Sequence, residues 1–194
     1  CRDNLSGRVM THPTLRGKLL IAAPDLVDPN FFHSVIFLLE HDKGGALGLV
    51  LNRPTCVSLT QVMPKWKTTA VSSINIFQGG PIRPRVLIGL ASTTGNTEID
   101  ARKPILDSVE VISIHETSPT SNSEISALRV YSGYSGWTEG QLDSEINMGS
   151  WFTTPASPAD LFEINPSRLW FRLLHAYHGK WPWRARNQID PSRN

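Results

Sequence analysis

The residue types nearest to covalent chemistry are in Gly133-Tyr134-Ser135-Gly136-Trp137. A serine between glycines, after a strand and before a capped helix, stands where a nucleophile elbow would sit. An elbow needs G-x-S-x-G, because both glycines relieve crowding at a strained turn. Here the second glycine comes one residue early and Trp137 fills its place. A serine hydrolase also needs an imidazole oriented by a carboxylate. His115 and Glu116 are adjacent, so on a strand they point to opposite faces. Ser135, with His115 or His41, is thus a catalytic alternative without a complete set. The simpler expectation is a tight turn in which Tyr134 and Trp137 anchor the helix start.

Other clusters fare similarly. In Glu40-His41-Asp42 the two carboxylates share one face of an extended strand and His41 takes the other. A metal site wants three or four converging ligands, and no second histidine has suitable spacing. His175 and His178 are three apart on a helix but lack an H-E-x-x-H pattern. No metal and no cofactor are expected. Gly44-Gly45-Ala46-Leu47-Gly48 precedes a strand and Gly79-Gly80-Pro81 precedes no helix, so neither offers a helix N-terminus to a phosphate. Lys180-Trp181-Pro182-Trp183-Arg184-Ala185-Arg186 interleaves aromatic and basic residues, a mix that binds single strands by stacking and charge. The footprint is small, and folding of the tryptophans onto apolar surface is the simpler expectation.

These residues need a scaffold. Gly17 to Pro24 is a compact apolar run without alternation, which predicts a strand buried on both faces. Ser34 to Glu40 and Ala46 to Asn52 predict two strands joined by a hairpin through His41-Asp42-Lys43-Gly44-Gly45. Arg53-Pro54 leads into a turn holding Cys56. Ser58-Leu59-Thr60-Gln61 and Thr138-Glu139-Gly140-Gln141 read as capping boxes, the second helix stopping at Gly149. Further strands are expected at 74–78, 86–92, 109–114, 128–132 and 151–154, with polar loops at 93–104 and 117–123. Asn165-Pro166 opens a last helix whose Leu169, Trp170, Leu173, Leu174 and Tyr177 form an apolar stripe. Strict βαβ alternation is absent, which argues against a doubly wound parallel sheet. The expectation is an α+β domain: a mixed, largely antiparallel sheet flanked by about three helices.

At 194 residues, with 40% hydrophobic and 19% charged residues, the chain suits one domain. We expect a leader at 1–16, the domain at 17–178 and a basic, tryptophan-rich tail at 179–194. Two cysteines, Cys1 and Cys56, make no disulfide framework. Together with the lack of a visible signal peptide or apolar span, they predict a reduced, cytoplasmic setting. Residues 1–18 and 179–194 each carry +3, so the body between carries −4 of the total +2. The body is therefore a poor nucleic-acid platform, and a nucleic-acid role would rest on the basic ends.

The ordered set Gly17-Lys18-Leu19-Leu20-Ile21-Ala22-Ala23-Pro24, Asp28-Pro29-Asn30-Phe31, Ser34-Val35, Glu40-His41, 45–54, Gly79-Gly80-Pro81, 133–137, Gly140-Gln141-Leu142 and Glu145-Ile146 resembles the AlgH/YqgE family of bacterial proteins. The resemblance runs from about residue 17 to residue 177. It implies a bifurcated, barrel-like sheet flanked by helices and no established activity. One branch of the family is associated with regulating alginate synthesis, and some members carry a transcriptional-regulator label. Two departures stand out: His33 replaces the family's usual arginine, and Ser135 stands where alanine is often found. Function is accordingly expected to be binding or regulation of a protein or small ligand. The candidate residues are Asn30, His33, Glu40, His41, Asn52, Arg53, Tyr134 and Trp137, with no membrane involved.

Overall fold

The computed structural model describes residues 14–66, 75–93, 105–115 and 125–178. Nine strands are described: β1 (Lys18–Ala22), β2 (Val35–Asp42), β3 (Gly45–Val50), β4 (Pro54–Ser58), β5 (Asn75–Gln78), β6 (Ile82–Thr93), β7 (Val109–Ser113), β8 (Ile125–Trp137) and β9 (Trp151–Pro155). Four helices accompany them: α1 (Leu59–Val62), α2 (Gln141–Asn147), α3 (Pro158–Leu161) and α4 (Pro166–His178), with a 3-10 turn at Pro64–Trp66. The sheet runs β4-β5-β8-β3-β2-β1-β9, with β6 and β7 branching off β8. All pairings are antiparallel except β5 with β8. The mixed, branched α+β sheet is as the sequence leads one to expect, but it is not closed. The path ends at β4 and β9, which corrects the barrel-like expectation.

Both faces of the sheet centre are covered, which explains the unbroken apolar runs. Leu19, Ile21, Val35 and Phe37 pack on Leu169, Leu173 and Leu174 of α4. The alternate residues Leu20, Ala22, Ile36 and Leu38 pack with Leu142 of α2, Trp137 and Trp151. Period-two alternation thus sorts one strand between two cores. A third core joins Leu59 and Trp66 to Ile76, Leu87, Leu128 and Val130. Each fully buried aliphatic side chain contributes roughly 1.5–3 kcal/mol.

The hairpin forms as expected, tightened to a turn at Lys43-Gly44, where the Asp42 carboxylate accepts the Gly44 N–H at 2.7 Å. The Ser58–Gln61 capping box is present in both directions. The second box is half-formed: Gln141 accepts the Thr138 N–H at 3.0 Å, while Gly140 is the N-cap and offers no side chain. Gly149 ends that helix at φ 83°.

Three local expectations are corrected. β8 does not stop at Ser132 but continues through Trp137, so 133–137 is strand and not a turn. The bend expected there is confined to Gly133, at φ 71°. The segment around Cys56 is an exposed edge strand. A fourth helix, α3, is built on a Ser157–Asp160 capping box with Pro158 at its first position, a signal too short to show periodicity. Thr14 and Leu15 of the expected leader are held on β2 through His41. The polar loops expected within 93–104 and 117–123 lie almost entirely outside the described residues, as do Glu116 and the tail at 179–194. No described helix is long and apolar enough to cross a membrane.

Candidate functional site

The loop Asp28–Ser34 is the place where most of the expected residues meet. The Asp28 carboxylate accepts the Asn30 N–H at 2.7 Å, and its carbonyl accepts the N–H groups of Phe31 and Phe32 at 2.9 and 2.7 Å. That is the ordinary chemistry of an Asp-Pro-Asn turn. His33 then adopts φ 52°, a left-handed conformation that histidine tolerates better than most residues.

Two residues just beyond β3 hold this loop. Asn52 donates its amide N–H to the His33 carbonyl at 2.8 Å and accepts the Val35 N–H at 2.9 Å. Arg53 donates to the carbonyls of Pro29 and Phe32 at 3.3 and 3.2 Å. Partial burial pushes the Arg53 guanidinium below its ordinary value, and Asp28 pulls the other way. The planar fork thus brackets the loop from below.

Above it, three rings lie nearly parallel. Phe32 stacks on His33 with centroids 3.6 Å apart, and His33 stacks on Trp170 of α4 at 3.8 Å. Trp170 is itself fixed by donating its indole N–H to the Ala22 carbonyl at 2.8 Å. Burial lowers the His33 pKa. Phe32 remains 46% exposed, so the stack ends in an open aromatic surface.

The neighbouring Phe31 turns the other way, against Trp137 and Trp151 at 6.0 and 5.6 Å. Both indoles donate to one oxygen of Glu145, at 2.9 and 2.8 Å, while Gln141 donates to the other oxygen at 2.9 Å. Two buried indoles require an acceptor, and Glu145 is that acceptor.

The loop therefore unites Asn30, His33, Asn52, Arg53 and, through Phe31, Trp137. Glu40 and His41 are not brought to it: they lie toward the far end of β2, roughly 20 Å from Ser34 at about 3.3 Å per residue. There His41 accepts the Leu15 N–H through Nδ1 at 3.1 Å, which leaves its proton on Nε2, 3.6 Å from the Asp143 carboxylate. Glu40 is exposed on the opposite face. Tyr134 is half-buried opposite Ile82 at the edge of the first core.

Ser135 is fully buried on β8, and its hydroxyl donates to the Gly79 carbonyl at 3.4 Å. No imidazole among the described residues is hydrogen-bonded to it. His115 is exposed, with its carbonyl accepting from Lys65 at 2.8 Å. Among the described residues no three His, Cys, Asp or Glu side chains come together as metal ligands. Sequence reasoning missed Phe32, Trp170 and Glu145. Glu145 was findable from the indole donors; Trp170 had the same periodicity as its core neighbours.

The model of a family described as AlgH-like matches residues 19–182. A UPF0301 protein of Streptomyces avermitilis is 33% identical over 93% of this chain and 96% of its own length. One from Mycobacteroides abscessus is also 33% identical, over 94% of this chain and 89% of its own. Among solved structures, a Corynebacterium diphtheriae protein superposes with a TM-score of 0.74 at 25% identity, covering 85% of this chain and 87% of its own. The solution structure of the AlgH protein from Pseudomonas aeruginosa gives 0.65 at 26% identity over the whole of both chains.

Proposed function

The chain belongs to the AlgH-like family, and on that premise we propose that it is a non-enzymatic, cytoplasmic binding or regulatory protein. Its binding surface is the loop Asp28–Ser34 with Arg53 beneath it and Trp170 beside it. The observation that carries this reading is the use to which the polar side chains are put. Asn52 and Arg53 bond the loop backbone, His41 bonds the Leu15 amide, and Ser135 bonds Gly79 inside the sheet. Such bonds fix the shape of the backbone around them. A loop held in one conformation, ending in an exposed phenylalanine, is preorganised for a protein or small ligand with an apolar or aromatic face.

Two measurements test this. The folded chain is expected to resist a serine-reactive fluorophosphonate; Ser135-dependent labelling would replace the binding reading with a hydrolase. Affinity capture from the native cell, run in parallel with the wild-type chain and Phe32→Ala, is expected to yield a partner that the variant loses. Identical partners for both chains would remove the loop from the binding surface.

A further inference from the structure

A second surface stands apart from that loop. Ile82 pairs with Tyr134 and Leu87 with Ser132, so five steps along β6 span two along β8, and three residues are looped out. A common bulge adds one. The five residues Ile82–Val86 are all exposed, with Ile82 and Val86 at 36% and 39%. Arg83 sits at φ 47°, a left-handed conformation that a long side chain occupies at a cost.

The projection is firmly seated. The Ser132 hydroxyl donates to the Pro84 carbonyl. A Cβ on Gly133 would lie 2.8 Å from the Ile82 carbonyl oxygen and 3.2 Å from the Pro84 Cα. A Cβ on Gly136 would lie 2.9 Å from Ile82 Cδ1. At Gly133 the backbone is thus drawn onto β8 more closely than a side chain permits, whereas at Gly136 it is the end of the Ile82 side chain that lies close.

What it presents is charge without an internal partner. Arg83 and Arg85 make no hydrogen bond or ion pair among the described residues, unlike Arg53, Arg129 and Arg172, which do. We propose that Ile82–Val86 is a docking surface for an acidic segment of a partner protein, the two guanidinium groups meeting carboxylates and Ile82 and Val86 meeting its apolar residues. Nucleic acid fits less well. Two cations neutralise few phosphates. The flanking residues are aliphatic and offer bases no stacking platform.

Fluorescence anisotropy with the full chain tests this, using a fluorescein-labelled peptide of alternating glutamate and valine as probe. Saturable binding that weakens with salt is expected. Arg83→Glu with Arg85→Glu should weaken it by roughly tenfold or more, whereas the paired lysine variants should stay within about threefold. Unchanged amide spectra away from the bulge show that the charge-reversed chain is folded. Phe32→Ala should bind the probe as wild type does, which separates this surface from the loop. No saturable binding, or equal binding by the charge-reversed chain, overturns the proposal. Tighter binding of an oligothymidylate, lost in the same variant, also overturns it by assigning the arginines to nucleic acid.

Discussion

The loop Asp28–Ser34 and the bulge Ile82–Val86 solve one problem in opposite ways. Each holds a non-glycine residue in the left-handed region, His33 at φ 52° and Arg83 at φ 47°, on irregular backbone outside the sheet pairing. The loop is fixed by side chains: Asp28, Asn52 and Arg53 all bond its main chain. The bulge is fixed largely by the lack of one, since Gly133 lets it sit against β8. The consequence is electrostatic. In the loop the cation is engaged internally and what faces solvent is an aromatic ring. In the bulge both cations face solvent.

If that contrast is right, the two sites break by different substitutions. Gly133→Ala should have the largest effect, about 3 kcal/mol or more by chemical denaturation. Its Cβ would meet the carbonyl oxygens of Gly80 and Ile82 at 2.7 and 2.8 Å, and its φ of 71° disfavours any side chain. A loss under about 1 kcal/mol would mean that close backbone approach does not hold the bulge.

Asn52→Ala should come next, at about 2 kcal/mol, because it leaves the N–H of the fully buried Val35 without its acceptor. Asn52→Asp keeps that acceptor but turns a carboxylate oxygen toward the His33 carbonyl, so it should not restore wild-type stability. Amide exchange confined to residues 28–35 would place the damage in the loop. Uniform exchange across β2 would instead make Asn52 part of the global core.

Much of this was legible in the sequence, and what was not has identifiable causes. The runs Gly17–Pro24, Ser34–Glu40 and Ala46–Asn52 gave their strands because burial on both faces leaves continuous apolar stretches. The Asn30, His33, Asn52 and Arg53 grouping also emerged, since turn-forming polar residues at strand ends point to a shared junction. The segment 133–137 misled because glycine signals a turn locally, whereas here it answers a neighbour: Gly79 and Gly80 cross β8 within 2.3 Å of where their own Cβ atoms would be. That crossing is a tertiary fact with no local signature. The bulge was hidden for the same reason, as Arg83-Pro84-Arg85 shows its register shift only against β8. Glu40 and His41 were grouped with the loop by sequence proximity, which a strand converts into distance.

The smallest expected effect concerns His33, and it decides between two forces. Burial between Phe32 and Trp170 disfavours the imidazolium, whereas an aromatic face attracts a cation. The net direction is a His33 pKa below 6.5, with burial as the cause. The folded chain then binds a proton at this site less readily than the unfolded chain. The associated stability is complete above about pH 6.5 and is lost as the pH falls through the folded-state value. His33→Phe keeps a ring in the stack and removes the titration. Denaturation midpoints at pH 7 and pH 5 should therefore fall further for wild type than for His33→Phe. A wild-type chain that loses less than the variant would show that attraction between imidazolium and indole outweighs desolvation, and the stack would then be a cation-binding arrangement closed by its own histidine.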